Sequence, residues 1–159
     1  MMKWLVPFVV TVLASHAHAD ATAEARAHSE KFAKACEAGD IEEVLELYSD
    51  DAHVVWPGTG EEAQGKDAFE KLAKSFCDPK TELKLTLKSI DGISLDSDHI
   101  ATVGHWEGSV KGPDGKKAVS QVRTTEVLLK AGSGWQYIVD HASIGLPPRK
   151  APPAHKRKP

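Results

Sequence analysis

Lys66-Asp-Ala-Phe-Glu-Lys-Leu-Ala-Lys-Ser-Phe-Cys-Asp-Pro-Lys-Thr-Glu-Leu-Lys-Leu-Thr-Leu-Lys88 changes its period halfway along. Up to Phe76 the apolar residues Phe69, Leu72, Ala73 and Phe76 recur three and four apart, which is the stripe of an amphipathic helix. Asp78-Pro79 closes that helix, because proline has no N–H to continue the ladder. From there Leu83, Leu85 and Leu87 alternate with Lys84, Thr86 and Lys88, the pattern of a half-buried strand.

The chain divides at this junction. Before it, Ala21 to Ala38 is rich in Ala, Glu and Lys, with His28, Phe32, Ala35 and Cys36 on one helical face and Gly39 as the terminating residue. Asp40 caps a second helix, with Glu43 three residues on and Ile41, Val44, Leu45 and Tyr48 as its stripe. Asp50-Asp51 breaks that pattern, and Ala52 to Trp56 reads as a strand stopped by Pro57-Gly58. After the junction, strands read at His99–Val110, Ala118–Lys130 and Trp135–Ile144. Asp96-Ser97-Asp98, Gly112-Pro113-Asp114-Gly115 and Gly132-Ser133-Gly134 separate them with good turn chemistry. Three helices followed by an antiparallel meander is an α+β plan.

The 159 residues suffice for one domain, and 41% hydrophobic with 27% charged residues is the composition of a globular protein. A net charge of −3 gives no reason to expect nucleic acid. There is no phosphate loop, serine elbow or HExxH, so no cofactor is expected.

Both ends have a composition of their own. Met1-Met2-Lys3, the apolar run Trp4 to Ala14, and alanines at 17 and 19 have the form of a secretory signal peptide cut after Ala19. The run is too short to span a bilayer, which needs about 20 residues. The expectation is therefore a leader over 1–19 and a periplasmic or secreted protein that is not membrane-integral. Residues 147–159 carry five basic residues, no acid and several prolines, the composition of a disordered tail. In an oxidising compartment Cys36 and Cys77 are a disulfide candidate, the alternatives being two buried free thiols or a reactive site.

Four segments, taken in order, resemble the nuclear transport factor 2-like superfamily, in its SnoaL-like and ketosteroid isomerase-like branch. They are Phe32-Ala-Lys-Ala-Cys-Glu-Ala-Gly-Asp40 with Leu45-Glu-Leu-Tyr-Ser-Asp-Asp-Ala52, then Gly65-Lys-Asp-Ala-Phe69, then Arg123-Thr-Thr-Glu-Val-Leu-Leu-Lys130, then Gly134-Trp135 with Asp140-His-Ala-Ser143. The resemblance implies a domain over 20–146. In it, three N-terminal helices pack on a cone of curved antiparallel sheet around an internal pocket, and the chain forms a homodimer through the sheet. It also implies a departure. Ketosteroid isomerases use a carboxylate late in the first strand, a tyrosine on the first helix and an acid on a later strand, and those positions here hold Trp56, Phe32 and Thr125. Without a carboxylate no base is available, so steroid isomerisation is not expected.

Turn geometry places His105 opposite Arg123, Thr125 opposite His141 and Arg123 opposite Ser143. The resemblance assigns Arg123, Thr125, His141 and Ser143 to the pocket face, with Trp56 and Phe32 as apolar wall. His141 is the candidate acid–base, histidine being the side chain suited to proton transfer near neutrality; Arg123 is a candidate clamp for a carboxylate or oxyanion. Each also has a plain structural reading, as a hydrogen-bonded imidazole and an internal ion pair. His105-x-Glu107 with His141 has a spacing that two histidines and a carboxylate could use for a metal, but ordinary surface residues explain it equally well, and no metal is expected. The function expected is binding of a small, mostly apolar molecule in a conical pocket without ketosteroid isomerase activity. The alternative is an isomerase, cyclase or hydrolase with His141 as acid–base.

Overall fold

Alanine, glutamate and lysine, all strong helix formers, build the long first helix α1 (Val10–Ala38). It ends where Gly39 takes a left-handed φ of 70° and Asp40 N–H returns to the Ala35 carbonyl. Asp40 then caps α2 (Ile41–Glu46), its carboxylate accepting from Glu43 N–H at 3.1 Å. The computed structural model describes residues 10–57, 61–112 and 114–145, and of 10–19 the backbone alone. The first nine residues of the expected leader and the whole of the expected tail, 147–159, lie outside the described residues. No described helix is long and apolar enough to cross a membrane.

Six strands form one sheet in the order β2-β1-β6-β5-β4-β3. They are β1 (Tyr48–Val55), β2 (Glu62–Gln64), β3 (Lys84–Ser94), β4 (His99–Lys111), β5 (Lys117–Ala131) and β6 (Gly134–Ile144), with α3 (Lys66–Phe76) between β2 and β3. Besides the short strand β2, two features differ from the sequence reading. The sheet is mixed, because β1 lies parallel to β6. The two strands are joined by most of the chain rather than by a hairpin, so nothing forces them to run in opposite directions. Moreover, β1 begins at Tyr48, which the helical stripe had claimed for α2. Tyr137 N–H donates to the Leu47 carbonyl at 2.9 Å and draws this segment into the sheet.

Helix α1 lies across one face of the sheet and also guards its β3 edge. Gly92 makes the close approach possible, since a Cβ there would stand 2.5 Å from the Ala21 carbonyl oxygen. Thr22 Oγ1 accepts from Gly92 N–H at 3.0 Å, and farther along Glu37 accepts from Leu85 N–H at 2.7 Å. These bonds occupy edge groups that would otherwise be open to another strand. A disulfide joins Cys36 near the end of α1 to Cys77 at the end of α3. Closing a loop with a sequence separation of 41 stabilises the fold by about 4 kcal/mol in the chain-entropy model. It pins the far ends of two helices over the same part of the sheet.

Candidate functional site

Between α1, α3 and the inner sheet face lies a small, partly open cavity of about 50 Å³. Its wall is mostly apolar: Phe32, Trp56, Phe76, Leu85 and Val122 among others. Phe32 and Trp56, the two residues expected as wall, are in place, with ring centroids 5.6 Å apart. Tyr48 lies 4.8 Å from Tyr137 and 4.1 Å from Phe69, so the aromatic group is continuous with the core.

The polar residues expected in this cavity are not in it. Arg123, Thr125 and His141 are exposed and Ser143 is half-buried, while Val122, Thr124, Glu126, Asp140 and Ala142 line the interior. His105 is exposed as well, with Nδ1 3.3 Å from Ser89 Oγ. The expected cross-strand partners are correct: His105 faces Arg123, Arg123 faces Ser143 and Thr125 faces His141. It is the face that is reversed. Tyr137 points inward, and strict alternation from it would carry Val139, His141 and Ser143 inward too. A register shift between Val127 and Leu128, where β6 carries the extra residue, turns those three outward and Asp140 and Ala142 inward. His105 and His141 are also not cross-strand partners of the same β5 residue, and no group of three potential metal ligands occurs among the described residues.

The same inversion puts two carboxyls inside. Glu126 on β5 and Asp140 on β6 are direct cross-strand partners, 3% and 5% exposed. Residues so placed have Cβ atoms about 5 Å apart. Asp140 Oδ2 accepts from Tyr48 O–H at 2.7 Å and from Trp56 Nε1–H at 2.6 Å. Glu126 accepts from the Thr102 hydroxyl, its partner on β4. Burial, and then the charge of Asp140, push the Glu126 carboxyl up to about 7. Burial also raises Asp140, against the pull of its two donors. Both donors bond to lone pairs on one oxygen of Asp140, so the negative charge belongs on Asp140 and the shared proton on Glu126. The cavity therefore does hold carboxyls, which the reading of Trp56, Phe32 and Thr125 alone did not anticipate. The acids stand one position from Thr125 and one from His141.

One residue of the lining, Trp106, keeps its Nε1–H sealed from solvent and without a hydrogen-bond partner among the described residues. A polar group buried without a partner costs about 1–3 kcal/mol. The Thr124 hydroxyl, next but one along β5, favours the charged form of Glu126 as a donor does. Behind the site, His28 is held neutral. Its Nε2–H donates to the Leu47 carbonyl at 3.2 Å, and burial pushes its pKa down to about 4.

These shifts set opposite pH dependences. Glu126 prefers its proton in the folded state, so its contribution is complete below pH 4.5 and is lost as pH rises through about 7. His28 does the reverse: stability is lost as pH falls from 6.5 towards about 4. The two partly cancel in the parent protein, and the difference from Glu126→Gln isolates the first. Thermal unfolding should show this variant gaining on the parent between pH 5 and pH 8, by a shift worth about 3 kcal/mol. A pH-independent difference would mean that Glu126 is ionised at neutrality.

Comparison with known proteins agrees with this architecture. A family model described as the SnoaL-like domain matches residues 25–147. No curated protein matches the chain in sequence. Among solved structures, one from Xanthomonas campestris, named as a calcium/calmodulin dependent protein kinase II association domain, is 23% identical. It has a TM-score of 0.71 and covers 80% of this chain and 88% of its own. One from Streptomyces avermitilis, named as a dehydratase of the NTF2-like family, is 19% identical, with a TM-score of 0.69 and coverage of 81% and 99%. One from Novosphingobium aromaticivorans, named as an aromatic ring hydroxylase, is 16% identical, with a TM-score of 0.72 and coverage of 81% and 92%. At these identities the likeness is one of fold, and the three names span unrelated functions. The chain belongs to the SnoaL-like domain family and has the NTF2-like, cystatin-like fold.

Proposed function

We propose that the cavity binds a small, largely apolar molecule and moves a proton on it, in a reaction of isomerase or lyase type. The observation that carries this reading is the Glu126–Asp140 pair, a protonated carboxyl beside an ionised one in an apolar space. Such a pair can give a proton at one position of a substrate and accept one at another. The apolar wall of Phe32, Trp56, Phe76 and Leu85 supplies binding through area removed from water. In this reading Glu126 and Asp140 take the acid–base role, and the exposed His141 has none.

A non-catalytic binding module is the second reading. It is favoured by Asp140, whose two donors also tie Tyr48 and Trp56 of the β1 segment to β6, as a purely structural carboxylate would. Deuterium uptake separates the two. Small aromatic and alicyclic ketones incubated with the protein in D2O should gain deuterium at the carbon next to the carbonyl, read by mass spectrometry. Glu126→Gln and Asp140→Asn should each slow uptake by about 100-fold or more, and His141→Ala should leave it unchanged. Binding without uptake would establish the non-catalytic module.

The secreted location and the homodimer belong to the same proposal. The first is supported by the leader-like residues 1–19 and by a disulfide of the kind that persists in oxidising compartments. The second is supported by exposed Ile93, Val103 and Val139 on the outer part of the sheet. Intact mass of protein recovered from a periplasmic extract should correspond to a chain beginning at Asp20, with no thiol labelled under denaturing, unreduced conditions. Retained Met1 on protein in the soluble fraction, or two labelled thiols, would contradict secretion.

A further inference from the structure

A cavity of about 50 Å³ is small for a ligand, since small-molecule sites ordinarily run to about 300–1,000 Å³. The apolar space does not end at its mouth. A second and larger cleft, of about 150 Å³, opens there. Pro57, Phe76, Leu85 and Val122 line both spaces and so form the neck between them. Beyond the neck the wall is Leu83 with Val110 of β4, Ala118 of β5 and Ile144 of β6. Among the described residues, none that lines the cleft is charged. Val110 and Ile144 remain 38% and 49% exposed, and large hydrophobic side chains left open around a groove mark a surface that is covered in use. Gly108 stands on the same wall, and a Cβ there would meet nothing nearer than Leu85 Cδ2 at 3.8 Å. The fold thus has room for a side chain that the sequence does not supply. Glycine inside a strand weakens it, and the close approach of a ligand is one reason to keep it.

Resting on the reading that the cavity binds a small molecule, we propose that the cleft receives a linear hydrocarbon chain carried by that molecule. The ligand is then an elongated amphiphile, with its polar, reacting end at the carboxyl pair and an unbranched alkyl chain leading out past Phe76 and Val122. The division of the space selects a chain over a ring system. Fused rings need their whole width in one chamber, whereas a string of methylenes passes a neck and fills both sides of it. Each methylene taken out of water into the cleft should tighten binding by about threefold. The cleft lies on the inner side of the sheet, where Val122 and Ile144 are direct partners. It therefore leaves free the outer face, with Val103 and Val139, on which the dimer was placed.

The test uses hexanol, octanol and decanol, with adamantanol as a compact probe that has as many carbons as decanol. Binding to the full chain is read from protein carrying ¹³C methyls on alanine and isoleucine, in which Ala142 reports on the cavity and Ala118 and Ile144 on the cleft. Affinity should rise about threefold per added methylene from hexanol to decanol, and the Ala118 and Ile144 signals should move only for the longer chains. Adamantanol should bind at least tenfold more weakly than decanol. Gly108→Val and Ala118→Leu each put a larger side chain in the cleft. Each should weaken decanol at least tenfold while changing hexanol less than twofold, and either one provides the reading if the other does not fold. Binding of none of the four probes, an affinity independent of chain length, adamantanol matching decanol, or a length dependence untouched by both substitutions would overturn the proposal. So would Ala118 and Ile144 signals that shift with protein concentration alone, because a second copy would then cover the cleft. The two claims fail separately. Hexanol that moves the Ala142 signal, with no gain for longer chains, leaves the cavity as a binding site and removes the cleft. A length dependence without deuterium uptake from any ketone leaves the cleft standing and removes the proton transfer.

Discussion

A carboxylate inside an apolar wall has to be held by donors, and Asp140 is held by two that come from the other half of the chain. Tyr48 opens β1 and Trp56 immediately follows it, so their bonds to one oxygen of Asp140 span the whole strand. Moving a carboxylate out of water costs several kcal/mol, and hydrogen bonds to a charged acceptor return about 1.5–3 kcal/mol each. The arrangement is therefore stable only while β1, β6 and the aromatic rings keep their places. That requirement couples the parallel β1–β6 pairing, the aromatic group around Phe32 and the electrostatics of the cavity into one constraint. It also decides where the second charge cannot go. With Asp140 ionised, its neighbour Glu126 keeps a proton up to about pH 7, which no exposed glutamate does.

Much of the fold was legible in the sequence because its local rules agree with one another. The period change after Asp78-Pro79, the Gly39 terminus and the Asp40 cap each fell where the structure has them. The hairpin turns even gave the right cross-strand neighbours for Arg123, Thr125, His141 and Ser143. The site was less legible: the face of Arg123 and Thr125 on β5 rested on the resemblance, which chose the wrong one, and on β6 a local irregularity added to the error. A single extra residue in β6 separates inward Tyr137 from outward Val139, and counting by twos across it reverses every later side chain. No turn motif marks that bulge. The short strand β2 was missed because Glu62-Ala63-Gln64 is brief and shows no strand composition, and its place is set by pairing with β1.

A better signal was present at Glu126 and Asp140 themselves. On β5, Val122, Thr124 and Leu128 share alternate positions with Glu126, so a charged residue interrupts what is otherwise an inward face. Buried acids of this sort are rare unless paired or functional. Positions compared with ketosteroid isomerases drew attention to Thr125 and Trp56 instead, one residue from one acid and hydrogen-bonded to the other. Gly104 carried a second signal. Glycine inside a strand weakens it and marks a close approach, here the indole of Trp106 folding over it towards Thr124.

The central claim is that the cavity holds one proton between two carboxyls at neutral pH. Carbon-detected NMR titration of protein labelled at the aspartate and glutamate carboxyls tests it most directly, with Glu126→Gln and Asp140→Asn supplying the assignments. The account predicts that the Glu126 carboxyl keeps its proton until about pH 7 and that the Asp140 signal senses the same titration through its neighbour. If both carboxyls titrate in the ordinary range near pH 4 with no mutual response, the pair is not an acid–base unit and the proposed chemistry falls with it.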